Sequence, residues 1–400
     1  MSIPLDRLYN YLDDCVNHEL LIYGWKTHGS RNLDDIVPWS DYTYDQFLSY
    51  APLVCHDQEP LDFEIWTKKD FLNRAKKICE LWHPKNWLQD KVLAYMVQQH
   101  LRGVTQVANR YDLTMLLHSE LNSQEVNQFD KHGFVPVYYW SHGLIAFDWF
   151  RYAQHDPLLQ FNRHEIQHNF LIYNRAWAGT REYRLYLTEQ IVEQNLVEHC
   201  KMSFAASDQG HYSEHFFSNP DFKITNYKLD QYFPKNIYTA NASADYCSQD
   251  YASTGIEIVL ETLFDDTRWH LTEKALRPIA CGQPFILMAT PGSLQYLRNY
   301  GFQTFSDLID ETYDEIANPK QRLQKVINEM LRISRLPTSV RHDLFWALRE
   351  IAAKNKLHFF TEFPHIVKKE YANNMQHALS IMNQHKTGKH SKAILKLLQD

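Results

Sequence analysis

Neither G-x-G-x-x-G nor G-x-x-x-x-G-K-[ST] occurs anywhere in the 400 residues. Without those glycine turns the backbone has no ready cradle for a pyrophosphate, which argues against a dinucleotide oxidoreductase or a P-loop NTPase. The six cysteines, Cys15, Cys55, Cys79, Cys200, Cys247 and Cys281, form no C-x-x-C pair. Their scatter excludes a cysteine-based zinc site and a disulfide scaffold, and fits a reducing compartment. Positive charge is not in excess: the net charge of -7 disfavours a general nucleic-acid surface. No run of 18 apolar residues is present, and the first residues lack a basic region followed by an apolar one, so the chain reads as cytoplasmic. Repeats and low-complexity tracts are absent too.

What is present is the material of a folded interior. Hydrophobic residues make up 44% and charged residues 22%, with aromatics at 14%, so the 24 Tyr and 22 Phe supply large buried faces that carry polar handles. A chain this long calls for two or three domains rather than one core.

Short apolar runs that end in polar residues read as buried strands: "APLVCHD" (Ala51 to Asp57), "FVPVYYW" (Phe134 to Trp140), "NFLIY", "IEIVLETLF" (Ile256 to Phe264) and "PFILMA". Helical periods run over Thr67 to Trp82, Trp87 to Gln99 and Arg181 to Gln194. "TEKALRPIACG" reads as a helix stopped by Gly282, and "SLQYLRNYG" as one closed by Gly301. Asn318-Pro319 starts a helix to about Arg335, and Val340 to Lys354 and Ile366 to His385 are two more. The final "HKTGKHSKAILKLLQD" is basic and reads as a terminal helix or a linker. Strands alternating with helices predict an α/β fold with largely parallel sheets, divided into residues 1–165, 166–365 and 366–400.

In such sheets ligands lie beyond the carboxyl ends of the strands. Two strand-helix junctions there carry cations. Asn174-Arg175 ends one strand, and Arg181 and Arg184 open the next helix, where a cation opposes the helix dipole. A bound anion would compensate; so would acidic surface groups. At the second junction Thr272 can cap and Glu273 suits a first turn, but Lys274 gains nothing there unless an anion faces it. Glu261, twelve residues before Glu273, falls near the end of the preceding strand and can face the same crevice. A carboxylate for sugar hydroxyls beside cations for phosphate is what a nucleotide-sugar site requires; a capping Thr-Glu on a structural helix is the plainer alternative. In the first domain "CHDQEPLD" holds His56, Asp57 and Glu59, and "YWSHGLIAFDWFRYAQHD" holds His142, Asp148, Arg151 and His155. Glu165 lies beside His164 at the crossover. Carboxylates near histidines can serve as general acid or base. No second cluster at a defined spacing accompanies "CHDQEP", so no metal is expected.

"LETLFDDTRWHLTEKALRPIACGQPFI" resembles the donor-binding segment of fucosyltransferase-type enzymes, with a glutamate at a strand end, a T-E-K helix start and a glycine-proline turn into a strand. It departs from them in the twelve-residue spacing of its glutamates and in the Trp-His before the T-E-K. "CHDQEPL", "YYWSHG", "NRAWAGTREYRLYL" and "GSLQYLRNYGFQTF" together are similar to bacterial polysaccharide and phage-encoded glycosyltransferases, most of all the retaining β-Kdo transferases. The resemblance implies a GT-B-like fold, two Rossmann-like domains facing a central cleft, with acceptor-side residues 1–165 and donor domain 166–365. It implies no cofactor and a nucleotide-sugar donor, CMP-Kdo, whose sugar passes with retention to a saccharide or lipid-linked glycan acceptor in lipopolysaccharide O-antigen or capsule synthesis. It further implies work at the inner membrane face beside membrane-associated assembly partners. Arg175, Arg181 and Lys274 would then hold the phosphate and Glu273 the ribose or sugar, with His270 or Arg277 toward the Kdo carboxylate. A nucleophile would come from Asp230, Asp245 or Glu261, and acid/base help from Glu165 or Asp57. Inverting transfer from another nucleotide sugar, GDP-fucose-like, and a non-catalytic glycan-binding module are the alternatives.

Overall fold

The computed structural model describes residues 21–24, 53–56, 60–61, 114–131, 134–160, 165–176, 181–205, 219–233 and 245–384. The chain divides into two compact units. One holds the elements up to Ser141 together with the chain from Val367 onward; the other holds His142–Ile366. Each is built on its own four-stranded parallel sheet.

In the first unit, strands β1 (Leu21–Gly24), β2 (Leu53–His56), β3 (Thr114–His118) and β4 (Phe134–Tyr138) lie in the order β1-β2-β3-β4. Helix α1 (Gln124–Lys131) makes the β3–β4 crossover. Its one buried residue, Phe129, meets Phe134 edge-on at 5.2 Å, which anchors the helix to the strand that follows it. The two strands expected at Ala51 to Asp57 and Phe134 to Trp140 are β2 and β4, each shorter than the apolar run that contains it. The helices expected at Thr67 to Trp82 and Trp87 to Gln99 lie outside the described residues.

The second unit begins within helix α2 (Ser141–Trp149) and continues with β5 (His168–Arg175), α3 (Glu182–Glu193), β6 (Cys200–Ala205), α4 (Ser248–Ala252), β7 (Thr254–Leu260), α5 (Glu273–Cys281), β8 (Phe285–Met288), α6 (Ser293–Asn299), α7 (Pro319–Arg335) and α8 (Thr338–Thr361). Helix α9 (Phe363–Gln384) starts in this unit and ends in the other. The strand order is β6-β5-β7-β8. Because β5 has its sequence successor β6 on one edge and β7 on the other, the connections leave β5 and β7 in opposite directions. In open parallel sheets ligands bind beyond the carboxyl ends of strands ordered in this way. Every residue of β7, TGIEIVL, is buried, as a central strand covered on both faces requires.

Local chemistry sets several of these boundaries. Gly282, at φ 70, ends α5 in the left-handed conformation; its N–H donates to Ile279 O and that of Gln283 to Pro278 O. The Asn318 side chain accepts from Gln321 N at 2.9 Å, with Pro319 at the first position of α7, as the sequence indicates. Helix α8 is longer than its local sequence predicts. It runs past Lys354 because Phe359 stacks on Phe363 at 5.6 Å and the Asn355 amide exchanges two 2.8 Å hydrogen bonds with the Gln303 backbone. No helix among the described residues is long and apolar enough to cross a membrane.

Gly255 in β7 leaves room for the buried Phe345 ring of α8. A Cβ there would stand 2.7 Å and 2.8 Å from its atoms. Gly255→Ala is expected to cost about 1–3 kcal/mol by overpacking, read as a lower urea midpoint. Adding Phe345→Leu should return part of that loss; a full-strength loss in the double variant would show that the ring is not the cause.

Candidate functional site

The carboxyl ends of β5 and β7 are tied together by one buried guanidinium. Arg184, on the first turn of α3, donates through Nη1 to Arg175 O at 2.8 Å, and through Nη2 to Leu260 O at 2.8 Å and Glu261 O at 2.7 Å. The Tyr183 hydroxyl donates to the same Glu261 O at 2.6 Å. Asn174 is buried beneath them, its Nδ2 donating to Arg184 O and to Thr188 Oγ1 at 2.9 and 2.8 Å. Asn174 and Arg184, both expected to meet a ligand, here bind protein groups: Asn174 holds the first turns of α3, and Arg184 holds the carbonyls at the strand ends. Carbonyls at the ends of diverging strands have lost their ladder partners, and a forked cation satisfies several at once.

The Glu261 side chain faces the start of α5. Oε1 accepts from Thr272 N at 2.9 Å and Ala275 N at 3.3 Å; Oε2 accepts from the Thr272 hydroxyl at 2.7 Å and Thr262 N at 3.2 Å. A fully buried carboxylate thus fills the place at a helix N-terminus where an external anion would bind. The same device recurs after β8, where Asp314 accepts from Ser293 N at 3.1 Å and Leu294 N at 3.0 Å at the head of α6. Burial holds the Asp314 carboxyl up at about 6, against the pull of those two donors.

Lys274 stands at the rim of this arrangement, with its side chain 23% exposed. Its Nζ donates to Thr272 Oγ1 at 3.0 Å and to Thr262 Oγ1 at 3.5 Å, and lies 3.6 Å from Glu273 Oε1. Burial lowers its pKa; Glu273 and Glu261 oppose that shift, and the charges of Arg184 and Arg181 add to it. Three cations from two distant parts of the chain therefore act on one another at the strand ends.

Glu273 is shared. Its other oxygen, Oε2, lies 3.1 Å from His142 Nδ1, at the start of α2. The His142 ring stands perpendicular to that of His270 at 5.4 Å. His270 is buried, and neither of its ring nitrogens has a hydrogen-bond partner among the described residues. Burial first, then the neighbouring His142, Arg268 and Lys274, push its pKa well down, so the ring is neutral. Beside it Arg268 holds Asp266 in a fork of 2.7 to 3.1 Å bonds.

Thr272, Glu273, Lys274, Glu261 and His270 are thus brought together, and Arg175 and Arg181 lie partly exposed at the neighbouring junction. Arg277 is turned away beneath α5. It donates to Glu257 Oε1 at 2.8 Å and the Tyr251 hydroxyl at 2.9 Å, and its guanidinium lies 4.4 Å from the Tyr173 ring centre. Asp230 is half-buried in the turn Leu229–Tyr232, Glu165 is exposed just before β5, and Asp245 is exposed before α4. Asp57 lies outside the described residues. The arrangement adds Thr262 and Arg268 to the residues expected from sequence, and it brings His142, expected beside the carboxylates of the first domain, to Glu273 instead. Nothing in the local sequence marks Thr262 or Arg268, and nothing in the sequence near His142 points to Glu273. Among the described residues no group of three or more His, Cys, Asp or Glu side chains could hold a metal ion.

No protein-family model, no curated protein and no solved structure matches the chain.

Replacing Glu261 by Gln should leave a helix start with fewer acceptors and a buried amide donor facing N–H groups. Roughly 2–3 kcal/mol of stability is expected to go with it, visible as a lower Tm; an unchanged Tm would show that solvent caps α5 equally well. His270 gives a pH dependence. Its folded pKa is depressed below the usual value of about 6.5, so below that pH the unfolded chain binds the extra proton and stability falls as pH drops. His118 of the first unit, lowered to about 4 by burial, acts in the same sense. His270→Phe should make the acid side of the stability curve shallower between pH 7 and 5, by urea titration; an identical slope would remove His270 as a source of it.

Proposed function

We propose that the protein is a glycosyltransferase that takes its sugar from a nucleotide-sugar donor, with the donor phosphate at the carboxyl ends of β5 and β7. The observation that carries this reading is Lys274. It is a half-buried ammonium at the mouth of the strand-order reversal, ringed by two threonine hydroxyls and one carboxylate, with Arg181 and Arg184 within electrostatic reach. Departure of a nucleotide phosphate develops negative charge, and fixed cations at that point stabilise the transition state. Glu261 already occupies the α5 N-terminus, so the phosphate meets side chains rather than the helix backbone. The resemblance of the T-E-K segment to fucosyltransferase donor sites supports the same placement.

In the finer form of the reading, the two units are the halves of a GT-B-like enzyme, the donor is CMP-Kdo, and the acceptor is a saccharide of lipopolysaccharide or capsule. Retention by double displacement calls for a carboxylate nucleophile. Both oxygens of Glu261 are taken up by α5 and its approach, which leaves Asp230 or Asp245 on the donor side. The pair His142–Glu273 favours a second course. An imidazole supported by a carboxylate is suited to take the proton of an acceptor hydroxyl, which belongs to direct displacement with inversion.

Thermal-shift titration with CMP, GDP, UDP and CMP-Kdo tests the site. One of them is expected to raise Tm, a hundredfold excess over Kd supplying about 2.7 kcal/mol. Lys274→Ala should weaken that ligand roughly tenfold to a hundredfold, the worth of one charge-assisted contact. If no nucleotide shifts the wild type, or the variant binds equally well, the donor site is not here. The anomeric configuration of the product by NMR separates retention from inversion.

A further inference from the structure

A cavity lies at the other end of α5. It encloses about 230 Å³ and is walled by the chain just after α5 (Gly282, Gln283), the turn around Leu159, and one face of α8. Eight helical steps of about 1.5 Å separate Lys274 from Gly282, so the two places are about 12 Å apart along α5.

Its lining is of two kinds. Arg349 and Lys356 supply two cations. Arg349, 7% exposed, spends Nη2 on Tyr251 O and Thr254 O at 3.0 and 2.9 Å; its Nε is buried with no partner, and no carboxylate pairs with it among the described residues. Burial alone lowers its pKa to about 10. Lys356 donates from Nζ to Leu159 O at 3.0 Å, and its stem passes 3.2 Å from where a Cβ on Gly282 would be. Two acidic groups act on it, first the Cys281 thiol, whose pKa burial pushes well up, and then Asp156, itself engaged by the Ser248 hydroxyl and Leu158 N. The remaining wall joins three glutamines, Gln154, Gln160 and Gln283, to an apolar side of Leu159, Ala353 and Phe360, and two leucines at the cavity stay exposed in spite of their size, Leu158 at 42% and Leu357 at 67%.

Two cations against one engaged acid leave a surplus of a single positive charge, and the carbonyls already in the wall would repel a dianion. The volume sets the size. A cavity of about 150 Å³ takes up benzene, so this one has room for roughly ten non-hydrogen atoms. Exposed leucines beside buried unpaired charge fit a molecule that brings both an apolar body and an anionic head.

We propose that this cavity binds a medium-chain aliphatic monocarboxylate, its carboxylate on Arg349 and Lys356 and its chain against Leu357, Leu159 and Phe360. The site is separate from the strand ends and does not depend on sugar transfer.

Isothermal titration of the whole protein with octanoate tests it, with octan-1-ol and inorganic phosphate as comparison probes. Saturable one-to-one octanoate binding is expected, with octanol at least tenfold weaker and phosphate without effect. Arg349→Gln should weaken octanoate at least tenfold. Leu357→Glu, an exposed position that leaves the interior intact, should do the same by placing a carboxylate at the mouth. Lys274→Ala should bind octanoate like the wild type, whatever happens to nucleotide binding. Absence of saturable octanoate binding overturns the proposal and leaves the two cations as partners of backbone carbonyls. Equal binding of octanol or phosphate overturns it too, as does octanoate binding that survives both Leu357→Glu and Arg349→Gln.

Discussion

Glu261 is the residue on which the carboxyl end of the second sheet depends. Its carbonyl receives Arg184 and Tyr183, which closes β7 onto the β5–α3 junction, while its carboxylate receives Thr272, Thr262 and Ala275, which sets the start of α5. One residue therefore fixes two elements through two different groups, backbone on one side and side chain on the other. The positions of Lys274 and Glu273 follow from it, because both stand on the turn whose N–H groups the carboxylate holds.

This is one instance of a wider habit of the unit. Asp314 serves the start of α6, and Glu189 accepts three bonds from Thr225 and Asn226. Buried acids are used here as fixed internal anions for backbone donors, which stabilises them as charged or hydrogen-bonded groups where an unpaired acid would be costly. The consequence for chemistry is that the helix N-termini at α5 and α6 offer little positive field to a ligand. Attraction for an anion has to come from side chains, and Lys274 with the neighbouring arginines is where it gathers.

Much of the architecture is legible wherever a local signal decides the outcome. The continuous apolar run of β7, the Thr272 cap, Gly282 and the Asn318-Pro319 start all act within a few residues of themselves. The extra length of α8 is not legible, because Phe359 and Asn355 take their helical state from Phe363 and Gln303. The site divides the same way. Lys274 stands out because a cation on a first helical turn conflicts with the dipole. The direction of Glu261 does not, since spacing brings two groups near without saying which way either points. Arg184 reads as a cation for a bound anion, for want of any sequence mark of the three carbonyls it serves, and His142 reads as part of the first domain although it meets Glu273.

The pairing of β5 directly with β7 has a bearing on how the molecule is made. The bonds from Arg184 to Leu260 and Glu261 close loops of 76 and 77 residues, and contacts so far apart in sequence form slowly because chain entropy is lost before they are gained. During synthesis β5, α3 and β6 leave the ribosome as a complete strand-helix-strand piece whose inner edge is still bare. That edge is a template for any passing strand until β7 arrives. The residue that later joins the two strands waits at that edge with its Nη2 still without the Leu260 and Glu261 carbonyls, so the order of emergence, as much as the final geometry, governs how safely this unit is assembled.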